Sequence, residues 1–380
     1  MDKLDELRKQ IDAIDDQIVQ LYLKRMDTVR RVADAKTDAN KQVNDSEREN
    51  AVVYRLTKDA PEQMKLYLNE LYKTVFHTSK SYQATLMNKS SATVDKLEEL
   101  LKTEPGTLPV SAAVACQGVK GANSGACAKL LFPICDITYC KSFEGVFSAV
   151  EKGLCEFGVL PIENSTAGSV SQVYDLMKKH NFYVVRSARL QIEHCLVGKH
   201  GANVNGIKKV ISHPQALSQC AEYLKKLGVE IEPVESTALA AKIVSESNDT
   251  TLGALCSAEC SEVYGLKILE KSVQDSAVNF TRFICIAKNL TIYKGADRIS
   301  IMMSISHNPG SLNSVLGKFS ALGLNLVKIE SRPIPNSEFE FMFYFDFEGD
   351  VADKKVRNLI AELENGSDKF VFLGVYKELI

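Results

Sequence analysis

An arginine stands where an apolar helical stripe calls for a leucine. Leu4, Leu7, Ile11, Ile14, Ile18 and Leu21 recur at spacings of three and four, and the next position in that series is Arg25. A guanidinium on a buried seam is costly unless an anion meets it. Lys36 lies about 20° around such a helix from Arg25 and ~16 Å along it. Arg8 faces about 100° away, so it is available to a different site, such as one in a partner protomer. The next helix opens Asp45-Ser46-Glu47-Arg48-Glu49, where Ser46 and Glu49 have capping-box spacing and Arg48 has no such explanation. A third stripe, Leu68, Leu71, Tyr72 and Val75, runs into Ser79 and Gln83, which share a face. These residues suit a buried anion site; the other reading is an internal ion pair satisfied by Glu49.

A second group of polar residues sits at the ends of apolar runs. Phe157–Ile162 delivers Glu163-Asn164-Ser165-Thr166, and Val210-Ile211 delivers Ser212-His213-Pro214-Gln215. Glu235-Ser236-Thr237 precedes Ala238–Ala241, and Asn279-Phe280-Thr281-Arg282-Phe283 precedes the run Ile284-Cys285-Ile286. The carboxyl ends of strands are where α/β folds place ligands, although Asn, Ser and Thr there also cap helices. Gly118-Val119-Lys120-Gly121 before a helix can aim backbone N–H groups at an anion. His213 beside a proline reads as a turn residue, and no Ser/His/Asp or Cys/His constellation is legible.

Three segments of different texture must position these groups. Residues 1–90 are helical, with one proline and no glycine. After a linker at 91–110 that holds a short helical piece before Glu104-Pro105-Gly106, residues 111–288 alternate strand-like runs with amphipathic stretches, an α/β pattern. From 297 to 380 the order is strand, helix, strand, strand, helix, strand, which is ferredoxin-like. There Phe339, Phe341, Phe343, Phe345 and Phe347 alternate as on a strand with one buried face. The 380 residues are 45% hydrophobic with net charge −2, which argues against a general nucleic-acid binder. No apolar run reaches the ~20 residues of a membrane span, and the N-terminus lacks the apolar core of a signal peptide; a cytoplasmic location is expected. Ten scattered cysteines form no Cys-x-x-Cys pair and read as reduced thiols, with no metal expected.

Leu7-Arg8, Lys24-Arg25, Ala35-Lys36, Asp45, Arg48-Glu49 and the Ser79/Gln83 pair together resemble the all-helical chorismate mutase family. The resemblance implies that Arg25, Arg48 and Arg8 of a second subunit bind the substrate carboxylates. It implies that Lys36 and Gln83 meet the ether oxygen, that Glu49 and Asp45 handle the hydroxyl end, and that Ser79 lies near a carboxylate. Chorismate to prephenate is a pericyclic rearrangement, so holding a compact conformer and stabilising the breaking C–O bond suffice. A first helix this long cannot bury its stripe alone, so an intertwined dimer is expected.

Gly158–Ser165, Ser212–Gln215, Tyr264-Gly265-Leu266, Gln274-Asp275 and Asn279–Phe283 resemble prephenate dehydratase. That family has two α/β lobes around a cleft, as in type II periplasmic binding proteins. Its essential threonine maps to Thr281, and its cleft to Glu163, Asn164, Ser165, Thr166, Ser212, Gln215 and Phe283. The family usually carries an aromatic where this chain has Asn123. The C-terminal segment resembles an ACT domain, with Asn308-Pro309-Gly310-Ser311-Leu312 as effector turn and Glu330-Ser331-Arg332-Pro333 as signature loop. Ser311 replaces the family's usual alanine. The resemblance implies L-phenylalanine as feedback effector at an interface between two such domains. The expected whole is a multidomain, cofactor-free enzyme acting on chorismate and prephenate, a homodimer or tetramer through its helical and ACT domains. The alternatives are a dehydratase whose helical segment only dimerises, and a non-catalytic metabolite sensor.

Overall fold

The computed structural model describes residues 3–38, 46–87, 91–276, 278–334 and 341–379. They fold as two compact units, Met1–Lys102 with Ile301–Val371, and Thr103–Ser300 with Phe372–Ile380.

The chain opens with α1 (Lys3–Asp38), α2 (Ser46–Thr57) and α3 (Glu62–Leu86). Pro61 stands at the N-cap of α3, where its missing N–H costs nothing. The C-terminal half of α1 packs on α3, burying Val29 and Ala33. The stripe from Leu4 to Leu21 is 48–67% exposed. The short helical piece expected within 91–110 is a packed helix, α4 (Ala92–Leu100), with Leu97 fully buried. Ser91 caps it, its hydroxyl accepting from Val94 N–H at 3.1 Å.

Next come β1 (Ser111–Gln117), α5 (Asn123–Leu131), β2 (Ile134–Cys140), α6 (Phe143–Glu151), β3 (Phe157–Asn164), β4 (Gly168–Ser169), α7 (Ser171–Lys179) and β5 (Tyr183–Gln191). The chain then crosses into β6 (Cys195–Gly198), β7 (Lys209–Ser212), α8 (Pro214–Gln219), α9 (Ala221–Leu227), β8 (Glu230–Pro233), α10 (Thr237–Glu246), β9 (Leu252–Cys256), α11 (Ala258–Val263) and β10 (Lys267–Glu270). It returns through β11 (Phe280–Ala287). Two sheets result. One is ordered β5-β11-β3-β1-β2 with β4 on β3, and the other β10-β6-β9-β7-β8. Val114, Phe132, Val159 and Cys285 centre the first lobe, and Val197, Ala240, Ala254 and Cys256 the second. All ten cysteines are free and eight are buried; burial pushes the Cys127 thiol up to about 12.

The last segment comprises β12 (Arg298–Ser304), α12 (Ser311–Ala321), β13 (Leu326–Pro333), β14 (Phe341–Glu348), α13 (Lys354–Asn365) and β15 (Phe370–Tyr376). Its sheet order, β13-β14-β12-β15, is the ferredoxin-like one. Phe345 and Phe347 are fully buried, and Phe319 of α12 stacks on the first and meets the second edge-on. Met342 and Tyr344 are buried too, so β14 is covered on both faces rather than the one its alternation suggested. Phe339 lies outside the described residues. Glu330–Pro333 form no loop: they extend β13 and pair with β14 from Tyr344 to Phe341. A short last strand, β16 (Glu378–Leu379), pairs in parallel with β5 at the edge of the first-lobe sheet.

Candidate active sites

The helical site forms where α1 crosses α3. Arg25 Nη1 donates to Ser79 Oγ, and its guanidinium lies 5.9 Å from the centroid of Phe76. Ser79 Oγ donates to Val75 O at 2.5 Å, the usual back-bond of a helical serine. Gln83, one turn on, is buried; its Nε2 donates to Ser79 O at 3.3 Å, and its Oε1 has no hydrogen-bond partner among the described residues. A buried carboxamide with one end unsatisfied is a binding group awaiting a ligand or a structural fault.

The remaining residues of this set are placed differently. Glu49 pairs with Lys80 at 3.1 Å, so the internal ion pair exists but does not involve Arg25. Lys36 is half-buried and Arg48 exposed. Arg8 is exposed near the start of α1, with Asp5 at 3.5 Å. Asp45 lies outside the described residues. Sequence reasoning missed Tyr22, whose hydroxyl donates to Thr78 Oγ1 at 2.8 Å and pins the two helices beside the site. It missed Lys80 as the partner of Glu49, although Lys80 follows Ser79 directly.

The second site is built on the ends of β3 and β11, which run antiparallel with Thr281 opposite Asn164. Asn164 is its hub. Its Nδ2 donates to Thr281 Oγ1 at 3.0 Å and Asn279 Oδ1 at 2.9 Å. Its Oδ1 accepts from Thr166 Oγ1 at 2.6 Å, Ala167 N at 2.9 Å and Gln215 Nε2 at 3.1 Å. Asn164 therefore caps no helix: α7 begins seven residues later with Val170 at its N-cap. Ser165 Oγ accepts from Phe280 N–H at 3.0 Å, tying the same two strand ends again. Among the described residues Thr281 Oγ1 donates to no acceptor, which leaves its hydrogen for a ligand.

Gln215 arrives from the second lobe at the start of α8, where His213 caps the helix by accepting from Gln215 N–H at 3.2 Å. Burial lowers the His213 pKa. One turn on, Gln219 Nε2 donates to Thr166 Oγ1 at 2.6 Å, and its Oε1 accepts from Asn279 Nδ2 at 3.0 Å. His194 Nε2 lies 3.0 Å from the same oxygen, so the neutral ring carries its proton on Nε2. Burial depresses the His194 pKa and supports that state, against a smaller opposing effect of the Gln219 bond. Sequence reasoning missed Gln219 and His194; the four-residue spacing from Gln215 was a usable signal for the first.

Two expected cleft residues are placed elsewhere. Ser212 is fully buried and donates to Leu255 O at 2.7 Å, tying β7 to its neighbour. Phe283 is buried in the first-lobe core, in one cluster with Cys127, Ala128 and Leu131 of α5. Glu163, Ser165 and Thr166 remain half-buried or exposed at the mouth. In the glycine turn, Gly118 and Gly121 take φ of +110° and +88°. Tyr264 Oη donates to Lys120 O at 2.7 Å, which joins two of the sequence motifs.

The turn before α12 holds Gly310 at φ +84°, and Ser311 Oγ lies 3.0 Å from Ser306 Oγ. Among the described residues no cluster of His, Cys, Asp or Glu is arranged to hold a metal.

Residues 114–291 match the family model for prephenate dehydratase, and residues 7–84 that for chorismate mutase type II. The chain is 39% identical over 275 residues to arogenate dehydratase/prephenate dehydratase 2 of Arabidopsis thaliana, covering 69% of this chain and 72% of that one. This chain belongs to the prephenate dehydratase family. A chorismate mutase domain precedes the dehydratase domain, so one polypeptide carries both activities. Among solved structures, the prephenate dehydratase of Arthrobacter aurescens in complex with L-Phe matches at TM-score 0.64 and 26% identity, over 70% of this chain and 89% of that one. A protein described as a novel type of quorum-quenching acylase matches at TM-score 0.64 and 28% identity, over 70% and 97%. The fold is therefore shared by more than one chemistry. No helix among the described residues is long and apolar enough to cross a membrane.

Proposed function

We propose that the chain converts chorismate to prephenate in its helical domain (1–90) and prephenate to phenylpyruvate in its two-lobed domain (111–288), under L-phenylalanine control through an ACT domain (297–380). The observation that carries the reading is the presence of two separate polar sites, Arg25–Ser79–Gln83 and Asn164–Thr281, on matches to two successive enzymes.

In the mutase, Arg25, Arg48 and Arg8 of a second copy hold the two carboxylates, with Ser79 beside one of them. Lys36 and Gln83 meet the ether oxygen, where negative charge grows as the C–O bond breaks. The unsatisfied Gln83 amide supports this: rotated, it presents its N–H₂ to that oxygen. Glu49 and Asp45 face the hydroxyl end. Arg8 needs a second copy, and the exposed stripe on α1 supports a homodimer, or a tetramer if the C-terminal domains also pair.

In the dehydratase, prephenate loses CO₂ and its ring hydroxyl as the ring aromatises. Because Asn164 donates to Thr281 Oγ1, the threonine hydrogen points to the departing hydroxyl. A threonine is a weak acid, so Glu163 or a water bound by Ser165 and Thr166 replenishes the proton. Gln215 closes the site from the second lobe.

L-phenylalanine binds the Asn308–Leu312 turn beside Glu330–Pro333 of β13. The N-terminus of α12 suits a carboxylate, and the Arthrobacter relative was solved with L-Phe. Ten free thiols support a reducing compartment, the cytoplasm.

The test supplies purified protein with chorismate, prephenate and L-arogenate separately, with and without L-phenylalanine. Prephenate and phenylpyruvate both forming from chorismate supports the reading. Phenylpyruvate from added prephenate alone would reduce the helical domain to a scaffold. Turnover of arogenate in preference to prephenate would reassign the second substrate to the amine-bearing analogue.

A further inference from the structure

Glu378 carries a carboxylate that the reaction does not use, buried to 2% exposure among three arginines. Arg282 Nε lies 2.7 Å from its Oε1, and Arg189 Nη2 and Arg298 Nη2 lie 2.9 and 3.4 Å from its Oε2. Ser187 Oγ donates to Oε1 at 3.3 Å. Arg282 Nη2 also donates to Tyr376 Oη at 2.9 Å, and Tyr376 Oη is 2.8 Å from Ser300 Oγ. Oε2 makes no hydrogen bond among the described residues, so that oxygen is held by the charge of the surrounding arginines, the pairing a buried carboxylate needs.

The cluster sits directly behind the dehydratase site. Arg282 follows Thr281 on β11, so strand alternation sends the two side chains to opposite faces. Arg282 and Arg189 are cross-strand partners on β11 and β5, an arrangement of like charges that is destabilising unless an anion lies between them. Glu378 is that anion. The β11–β3 ladder also slips between Arg282 and Phe283: Arg282 faces Glu163 while Phe283 faces Pro161, leaving Ile162 unopposed. A bulge re-aims the residues beside it, and here they are Thr281 and Asn164.

The approach of this last segment is equally specific. Gly374 has φ +140°, and a Cβ there would collide with the Val184 carbonyl of β5. Lys377 O accepts from Ser187 N–H at 3.1 Å, and Glu378 enters the sheet beside Ser187.

We propose that Glu378 is a positioning residue for the dehydratase: by fixing Arg282 against Arg189 and Tyr376, it holds the end of β11 beside the β3 bulge so that Thr281 Oγ1 meets Asn164 and the leaving hydroxyl. The role rests on Thr281 as the hydrogen donor. Residues 378–379 thereby belong to the dehydratase, although they follow the ferredoxin-like segment in sequence.

The test is Glu378→Gln in the full chain, with Glu378→Asp and Tyr376→Phe beside it. Glu378→Gln is expected to lower dehydratase kcat by on the order of 10- to 100-fold, with KM for prephenate within about twofold and mutase turnover unchanged. Glu378→Asp, which keeps the charge, restores most of the loss. A Glu378→Gln enzyme with parental kcat overturns the proposal, as does a loss that Glu378→Asp fails to restore. If Glu378→Gln does not fold, Tyr376→Phe decides: a lower kcat at constant KM supports the role, and parental kcat overturns it. Thr281→Ala at full activity would remove the donor assignment itself. An inactive Thr281→Ala beside a fully active Glu378→Gln would sink the positioning role alone.

Discussion

Asn164 Nδ2 lies 3.0 Å from Thr281 Oγ1, at a point where the two strands carrying these residues are in register for their last paired positions. The direction of that bond matters as much as its length. An amide N–H₂ can only donate, so the threonine oxygen is the acceptor and its own hydrogen is free to serve a ligand.

Thr281→Ala is therefore expected to lower dehydratase kcat by about 10²–10³-fold, the usual effect of losing one transition-state donor. Thr281→Ser should retain most activity, since the hydroxyl survives. Asn164→Leu should lose nearly as much as Thr281→Ala, because the hydroxyl then rotates freely. Mutase turnover on the same chain is the internal control. A Thr281→Ala enzyme within about twofold of parent would end the donor assignment.

Gln83→Leu tests the other site. Leucine fills a similar volume and removes the unsatisfied Oε1, so stability should hold or rise slightly. Mutase kcat should fall about 10²-fold through loss of the proposed donor to the ether oxygen, while phenylpyruvate formation from added prephenate stays at the parental rate. Equal loss of both reactions would mean that Gln83 serves folding.

Much of this was legible from local pattern. Arg25 and Gln83 interrupt apolar stripes, and a charge or amide where packing needs a hydrocarbon signals function before any contact is known. The strand-end motifs around Asn164 and Thr281 were equally visible. What sequence alone could not separate was polar residues at strand ends that face the cleft from those that tie the sheet, because both sit in the same motif. Ser212 and Phe283 fell on the wrong side of that line. Glu378 was invisible for a different reason: three arginines at 189, 282 and 298 converge on it only through strand pairing across a long separation. The strand at Glu330–Pro333 was misread as a loop because its proline lies at the strand's last position, where the ladder tolerates one.

Stability should fall as pH drops below neutral. Burial holds the His194 pKa below its ordinary value, and His77 and His213 are shifted the same way. Between the unfolded value of about 6.5 and the lower folded value, the unfolded chain binds a proton that the folded chain refuses. Stability is thus greatest above about pH 6.5 and declines as pH falls through that window, by up to about 1.4 kcal/mol per pH unit for the buried His194 and by less for the half-buried His77 and His213, which water screens. His194→Gln should flatten the decline below about pH 6.5, read from denaturant midpoints across pH. An unchanged slope would show that His194 titrates alike in both states.

Ile14→Asp together with Ile18→Asp places two charges on the exposed stripe of α1, where both residues are more than half exposed in the single chain. If that stripe seats a second copy, burying unpaired carboxylates there is prohibitive. The expected result is a smaller species in sedimentation, mutase activity lost with Arg8 displaced, and dehydratase turnover largely kept. A variant with parental mass and parental mutase activity would place the dimer contact elsewhere.

Gly310→Ala probes the effector turn. At φ +84° a Cβ costs about 1–2 kcal/mol, and the turn can relieve that only by moving the N–H groups that open α12. Because every 1.4 kcal/mol is tenfold in affinity, the L-phenylalanine concentration for half-inhibition should rise about 5- to 30-fold. Uninhibited turnover of both substrates should not change, since Gly310 touches neither candidate active site. No protein atom among the described residues lies within 4 Å of the added carbon, so within the protein the substitution acts through the backbone. Inhibition at the parental concentration would mean that L-phenylalanine, if it binds, does so away from this turn.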